Sequence, residues 1–219
     1  HRNRQRTLAR QPEERVVIAA HQTMLATPAL PYDAEVEYLE INGDGTYIDT
    51  GAVPANNPSA QIVAQYLGTS QSSAQTTPLF GLRNYNVVPY VYFAFWVRSD
   101  TLKLAVNYAA TDTSWQNQTT DKTAFHTFAL DNSGGYYDGA KFVSFSLSIG
   151  ANAGGSVYVG AAHQPNNSDP HPSRGVKMRV RSFDLYNGGI LAFSGKSVRL
   201  GSTGYLYDAV SGNLVGAAS

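Results

Sequence analysis

The sequence predicts an all-β protein: a two-sheet antiparallel jelly-roll sandwich that carries an extended N-terminal arm. Three observations point there. The composition is rich in strand and turn formers, with 14 Tyr, 9 Phe and 20 Gly, and only 15% of residues are charged, which is poor material for helices. Alternating apolar runs recur after residue 35 with turn residues between them, as in a sandwich. No helical period and no solenoid repeat interrupts them. At 219 residues the chain can form one large β domain, and the even spread of the runs favours one over two.

Residues 1–34 read as a basic arm and residues 35–219 as the jelly roll. Arg2, Arg4, Arg6, Arg10 and Arg15 against Glu13 and Glu14 put a net +3 into the first 15 residues of a chain that is neutral overall. The plain reading of such a run is a solvated, partly extended segment. The sharper one is an anchor that docks on a partner subunit through Arg2, Arg4, Arg6 and Arg10. Pro12 with Glu13 and Glu14 could open a short helix, and Pro28 and Pro31 would end it. Outside the arm no basic face is visible, so specific nucleic-acid binding is not expected. No apolar run approaches the ~20 residues of a membrane span, and residues 16–20 are too short for a signal-peptide core, so no membrane partner is expected either. Cysteine is absent, which excludes disulfides and thiolate metal sites. The start at His1 suggests a missing initiator or leader.

The domain opens on two alternating runs, 36–41 and 46–50, around Asn42-Gly43-Asp44-Gly45, the pattern of a β-hairpin. Strands are then expected over 61–67, 78–83, 90–98, 102–108, 124–131, 135–138, 141–149, 156–161, 176–186, 190–200 and 205–207. Within 176–186 the apolar residues are Met178, Val180, Phe183 and Leu185. Their period of two slips by one after Val180, as a bulge would make it do. Within 90–98, Val91, Phe93, Phe95 and Val97 form the more apolar set and are assigned to the core. Tyr90, Tyr92, Ala94 and Trp96 then occupy the opposite face. Four loops stand out, 52–59, 68–77, 109–121 and 163–175. The third sets Trp115 among Gln116, Asn117 and Gln118 and reads as a surface that touches something.

Candidate chemistry is sparse. Glu35, Glu37 and Glu40 approximate the Glu-x-Asp-x-x-Glu strand of jelly-roll glycosidases, whose retaining members hold two carboxyl groups ~5–5.5 Å apart. On a regular strand Glu35 and Glu37 share one face while Glu40 takes the other. They are therefore read as edge-strand charges, no catalytic residue is assigned, and the chain is expected not to be an enzyme. Asp44, Asp49, Asp131, Asp138 and Asp208 lie near Gly-containing turns and could offer oxygens to calcium, but Asp in turns is explained by its hydrogen bonds to the backbone. No metal site or cofactor is assigned, and calcium alone is left open. His1, His21, His126, His163 and His171 lack the HExxH spacing and read as structural. No Gly-x-Ser-x-Gly elbow supports a serine nucleophile.

The aromatic residues are more informative. Tyr85, Tyr90, Tyr92, Trp96, Tyr108 and Trp115 cluster with Asn84, Asn86, Asn107 and Asn117, and a sugar site combines an aromatic platform with amide hydrogen bonders. Tyr85, Asn86, Tyr90, Trp115 and Asn117 are the candidate carbohydrate-binding residues. The alternative, core or subunit contact, is the blander use of the same rings.

Tyr38-Leu39-Glu40 followed by Gly45-Thr46-Tyr47-Ile48-Asp49-Thr50-Gly51 resembles the opening of a concanavalin A-like, laminin G-like jelly-roll domain found in gut bacteriophage proteins and on Bacteroidota surfaces. Phe125-His126-Thr127-Phe128 with Gly135-Tyr136-Tyr137-Asp138-Gly139 is similar to its mid-chain hairpin. Phe183-Asp184-Leu185-Tyr186-Asn187-Gly188-Gly189 resembles its late strand pair, and Gly204 to Gly212 its closing segment. The resemblance implies a structural virion protein at the virion surface: a head fibre, capsid decoration or tail component. It would be joined to other virion subunits by the arm, assemble as a homo-oligomer, and adhere weakly to host or mucus glycans. Two alternatives remain beside it, a carbohydrate-binding or adhesin module on a bacterial cell surface, and a jelly-roll glycoside hydrolase.

Overall fold

A computed structural model describes residues 29–43, 45–70, 76–85, 90–151, 153–165 and 175–218. Arg2, Arg4, Arg6 and Arg10 of the arm, with His1, His21, Asp44, Asn86 and His171, lie outside the described residues. The strands, in chain order, are β1 (Ala34–Glu35), β2 (Leu39–Asn42), β3 (Tyr47–Asp49), β4 (Ser59–Thr69), β5 (Thr76–Asn84), β6 (Val91–Arg98), β7 (Leu104–Ala109) and β8 (Thr111–Asp112). They continue as β9 (His126–Asp131), β10 (Gly134–Tyr137), β11 (Ala140–Ser144), β12 (Tyr158–Val159), β13 (Val176–Asn187), β14 (Ile190–Leu200), β15 (Thr203–Asp208) and β16 (Leu214–Ala218). No helix occurs among the described residues.

Two antiparallel sheets form a sandwich. Sheet I runs β11-β10-β9-β4-β13-β14-β15-β16, with β2 also on β13 and β1 on β14. Sheet II runs β16-β3-β12-β5-β6-β7-β8. Strand β16, which the alternation did not reveal, belongs to both: residues 214–216 pair with β15 and residues 217–218 with β3. The core lies between the sheets. Phe80 and Phe95 of sheet II meet Phe183 and Phe128 of sheet I at ring-centroid distances of 5.3 and 5.4 Å respectively. Buried Tyr108 donates its hydroxyl to the Pro58 carbonyl at 3.0 Å. Burial, and after it the charge of Asp131, pushes its pKa well above the ordinary tyrosine value.

Several expectations hold in detail. Phe93, Phe95 and Val97 are buried in the inter-sheet core with Val91 packed against it. The slip after Val180 is a register shift between Val180 and Ser182 against β4. A second shift lies between Pro78 and Phe80, which explains how a proline is accommodated inside β5.

Others are corrected. The opening runs do not form a hairpin. A turn is present, with the Thr46 amide donating to the Gly43 carbonyl at 3.0 Å and Gly43 and Gly45 at positive φ. Yet β2 pairs with β13 in sheet I while β3 pairs with β12 and β16 in sheet II. The Gly-rich signal specifies a reversal of direction, and longer-range partners decide the pairing. The turn thus carries the chain from one sheet to the other, and Ile41 and Ile48 both enter the core.

The expected strand 156–161 contracts to Tyr158–Val159. Strand 141–149 ends at Ser144, after which Phe145 and Leu147 pack on the core from irregular chain whose amides donate to Ser133 and Asn132.

Glu40 does not face away from Glu35 and Glu37. The chain between β1 and β2 leaves strand geometry, which resets the side-chain parity. All three carboxylates reach bases of sheet I: Glu35 pairs with Lys196, Glu37 with Arg181, and Glu40 with Arg179 at 3.2 Å. Arg179 lies over the Tyr38 ring at 4.7 Å and Arg181 over Phe125 at 3.8 Å, so charge and ring alternate across this face. Lys196, by hydrogen bond and then by charge, holds the Glu35 carboxyl below its ordinary pKa.

Candidate functional site on the outer face of sheet II

Alternation in β5, β6 and β7 sends Phe80, Leu82, Phe93, Phe95, Leu104 and Val106 inward. Arg83, Tyr92, Trp96, Asn107 and the small residues Gly81, Ala94 and Ala105 face outward. Register then aligns them. Gly81 sits opposite Ala94, Ala94 opposite Asn107, and Asn107 opposite Asp112. Flanking rows place Arg83 opposite Tyr92, and Trp96 opposite Ala105.

The low middle row lets the Arg83 side chain lie along the sheet. Its guanidinium carbon comes within 5.0 Å of the Tyr92 ring centre, 5.4 Å of Tyr85 and 5.5 Å of Trp96, cation–π distances. Its Nη2 lies 3.5 Å from Asp112 Oδ2. Asn107 completes the relay: its Oδ1 accepts from the Trp96 indole N–H, and its Nδ2 donates to Asp112 Oδ1. Both ends of the amide are therefore assigned, because an indole N–H only donates and a carboxylate only accepts. Burial, and next the neighbouring Tyr85 ring, raises the Tyr92 hydroxyl pKa, partly offset by Arg83.

Residues 113–118 run along the free edge of β7. Thr113 exchanges hydrogen bonds with Val106, the Gln116 amide donates to the Leu104 carbonyl at 2.9 Å, and the Leu104 amide donates to the Gln118 carbonyl at 3.0 Å. This pairing holds Trp115 against a small cluster made by Ala94, Trp96, Ala105 and Ala162. Arg83, Trp96, Asn107, Asp112 and Trp115, with Thr76 and Thr113, line a depression of about 150 Å³. It adjoins the three-tyrosine group in which Tyr85 lies 5.8 Å from Tyr90 and 5.5 Å from Tyr92, and Tyr90 is 49% exposed.

Of the residues singled out from sequence, Tyr85, Tyr90 and Trp115 share this surface, linked through Arg83 and Trp96. Asn117 is exposed and does not line the depression. Trp96 and Asn107 belong to the same sequence cluster but are nearly buried; they are the frame of the site. Arg83 and Asp112 carried no local signal, since only pairing across four strands brings them together.

Among the described residues, the turn aspartates and two histidines singled out from sequence have partners within the protein. Asp49 accepts from the Gly51 amide, Asp131 from Ser133 and Gly134, Asp138 from Thr127, and Asp208 from Ser194, Val210 and Ser211, so each caps a turn or strand end. His126 places Nδ1 2.7 Å from Asp138 and Nε2 3.0 Å from Asp121. His163 stacks on Tyr158 with ring centres 4.2 Å apart. Among the described residues no group of three His, Cys, Asp or Glu is placed to hold a metal. A larger cavity of about 580 Å³ opens between β2, β14 and β15, where aliphatic Val36, Leu39, Ile48 and Val198 alternate with Tyr38, Glu40, Arg199 and Thr203. Its lining holds one aromatic ring and no side-chain amide, against the paired tryptophans and Asn107 of the sheet II depression.

No protein-family model matches the chain, and no curated protein matches it in sequence. Solved structures do share its fold. A Bacteroides ovatus protein named for carbohydrate binding superposes with a TM-score of 0.54 at 11% identity, over 85% of this chain and 59% of its own. The Trypanosoma rangeli sialidase, solved with 2,3-difluorosialic acid, gives a TM-score of 0.51 at 15% identity over 71% of this chain and 26% of its own. The SAP-like pentraxin of Limulus polyphemus gives 0.49 at 11% identity, over 70% of this chain and 77% of its own. The chain thus spans only part of the first two proteins. At such identities the likeness establishes the jelly-roll sandwich and nothing finer.

Proposed function

We propose that this chain is a non-enzymatic glycan-binding jelly-roll module that receives a saccharide on the outer face of sheet II. One observation carries the reading: Trp115 and Trp96 stand beside the Asn107–Asp112–Arg83 relay, so a ring face and fixed hydrogen-bonding groups converge on one depression. Sugar rings present an apolar face to an aromatic ring and hydroxyls at their rim. The Bacteroides ovatus relative in fold, named for carbohydrate binding, agrees with it. The non-enzymatic part draws on sheet I. Lys196 lowers the Glu35 carboxyl pKa, the opposite of the raised pKa a glycosidase acid needs.

Trp115→Ala is expected to weaken glycan binding at least about tenfold, the usual cost of truncating an aromatic anchor, with the near-ultraviolet circular dichroism otherwise retained. Calorimetric titration of the best ligand from a glycan array measures it. Unchanged affinity in the variant would remove the saccharide from this face.

The setting we propose is the surface of a bacteriophage virion, as a head fibre, capsid decoration or tail component assembled in several copies. It draws on the resemblance of residues 38–51 and 204–212 and on the basic arm, with Arg2, Arg4, Arg6 and Arg10 as its anchor. Mass spectrometry of purified particles is expected to find the chain at fixed stoichiometry. Recovery from a bacterial envelope instead would make it a cell-surface adhesin.

A further inference from the structure

We infer that the depression on sheet II selects neutral saccharides, reading their hydroxyl donors through the Asp112 carboxylate, and that Arg83 is a positioning residue and not an anion receptor. The inference rests on the glycan-binding reading and adds the class of ligand.

An arginine in a putting-down site for sugars would ordinarily argue for an acidic ligand, because a guanidinium matches a carboxylate or sulfate bidentately. Here its placement argues otherwise. The Arg83 side chain is only 15% exposed, whereas that of Asp112 is 55% exposed. Three rings surround the guanidinium, and Nε is buried without a hydrogen-bond partner, so that edge of the fork is closed to a ligand. The Nη2 atom faces Asp112. Through its ring contacts and Nη2 the cation holds Tyr85, Tyr92, Trp96 and Asp112 in one arrangement.

What the depression offers outward is the carboxylate. Asp112 Oδ1 accepts from Asn107 and Oδ2 faces Arg83. Each carboxylate oxygen has two acceptor positions, so each retains one for a ligand. Two adjacent hydroxyls of a neutral pyranose supply two donors of matching spacing. The ionised carboxylate of a uronate or sialate, or a sulfate group, donates no hydrogen bond of its own and brings like charge against Asp112. The volume of about 150 Å³ lies below the ~300–1,000 Å³ of pockets for larger ligands. The site therefore takes one ring, with neighbouring sugars lying over the Tyr85–Tyr90 group.

The test uses the full chain on a panel of neutral glycans and their sialylated, uronate-containing and sulfated counterparts, followed by titration of the best neutral and acidic members. Neutral glycans are expected to bind at least about tenfold more tightly than counterparts acidified on the terminal ring. Asp112→Asn is expected to weaken neutral binding by about tenfold and to narrow the neutral-to-acidic ratio, since it leaves the Arg83 charge unopposed. Acidic glycans binding as well as neutral ones, or a ratio untouched by Asp112→Asn, would overturn the inference and leave glycan binding standing. Absence of any glycan binding would bring down both. The wild-type ratio needs no variant, so misfolding of Asp112→Asn cannot shield the inference.

Discussion

Phe80→Ala is expected to lower stability by about 3–5 kcal/mol. Phe80 is fully buried, and its ring spans the sandwich. It lies 6.1 Å from both Phe93 and Phe95 within sheet II and 5.3 Å from Phe183 in sheet I. Alanine would leave a cavity that neither sheet can close, because the flanking side chains are themselves held by paired strands. For a domain of this size the loss corresponds to a Tm lowered by roughly 6–20 °C. Denaturant titration should show a reduced midpoint at unchanged slope. A loss under about 1 kcal/mol would mean that the ring does not bridge the two sheets.

Gly81→Ala is expected to cost about 1–3 kcal/mol and also to abolish glycan binding. A Cβ at Gly81 would stand 2.5 Å from the Ala94 Cβ, 3.0 Å from its Cα and 3.2 Å from the Phe93 carbonyl oxygen. None of these atoms can rotate away, so β5 and β6 must separate. Arg83 lies two residues along the same strand and would lose its line to Asp112. Gly150→Ala, with open space around the added carbon, serves as control and should be neutral or stabilising by up to about 1 kcal/mol. Calorimetric stability and glycan titration on the same two variants separate the effects. Full binding by Gly81→Ala would show that the site does not need Arg83 held against Asp112 by a close β5–β6 pairing.

Local pattern and long-range pairing part company at three places. Asn42-Gly43-Asp44-Gly45 announced a turn, and a turn is there, but no local pattern says which strands will flank it. Glu40 shares the face of Glu35 and Glu37 because parity counts only while the chain stays extended, and residues 36–38 break it. Trp115 and Tyr90 were legible as a contact surface from their polar neighbours. Asn117 lies exposed beside the depression and not in its lining, on a segment that pairs with β7 outside any recognisable strand pattern.

By itself the sequence determined the strand alternation, the inward set Phe93, Phe95 and Val97, the bulge after Val180 and the jelly-roll class. These follow from a side-chain period of two along the backbone, which is a local property. Only the tertiary structure decided that β2 and β3 part into different sheets, that Glu35, Glu37 and Glu40 are matched by bases, and that Arg83 meets Asp112 across four strands. Each of those depends on which strands pair and in what register, and pairing is settled by burying the two apolar faces against each other over the whole chain.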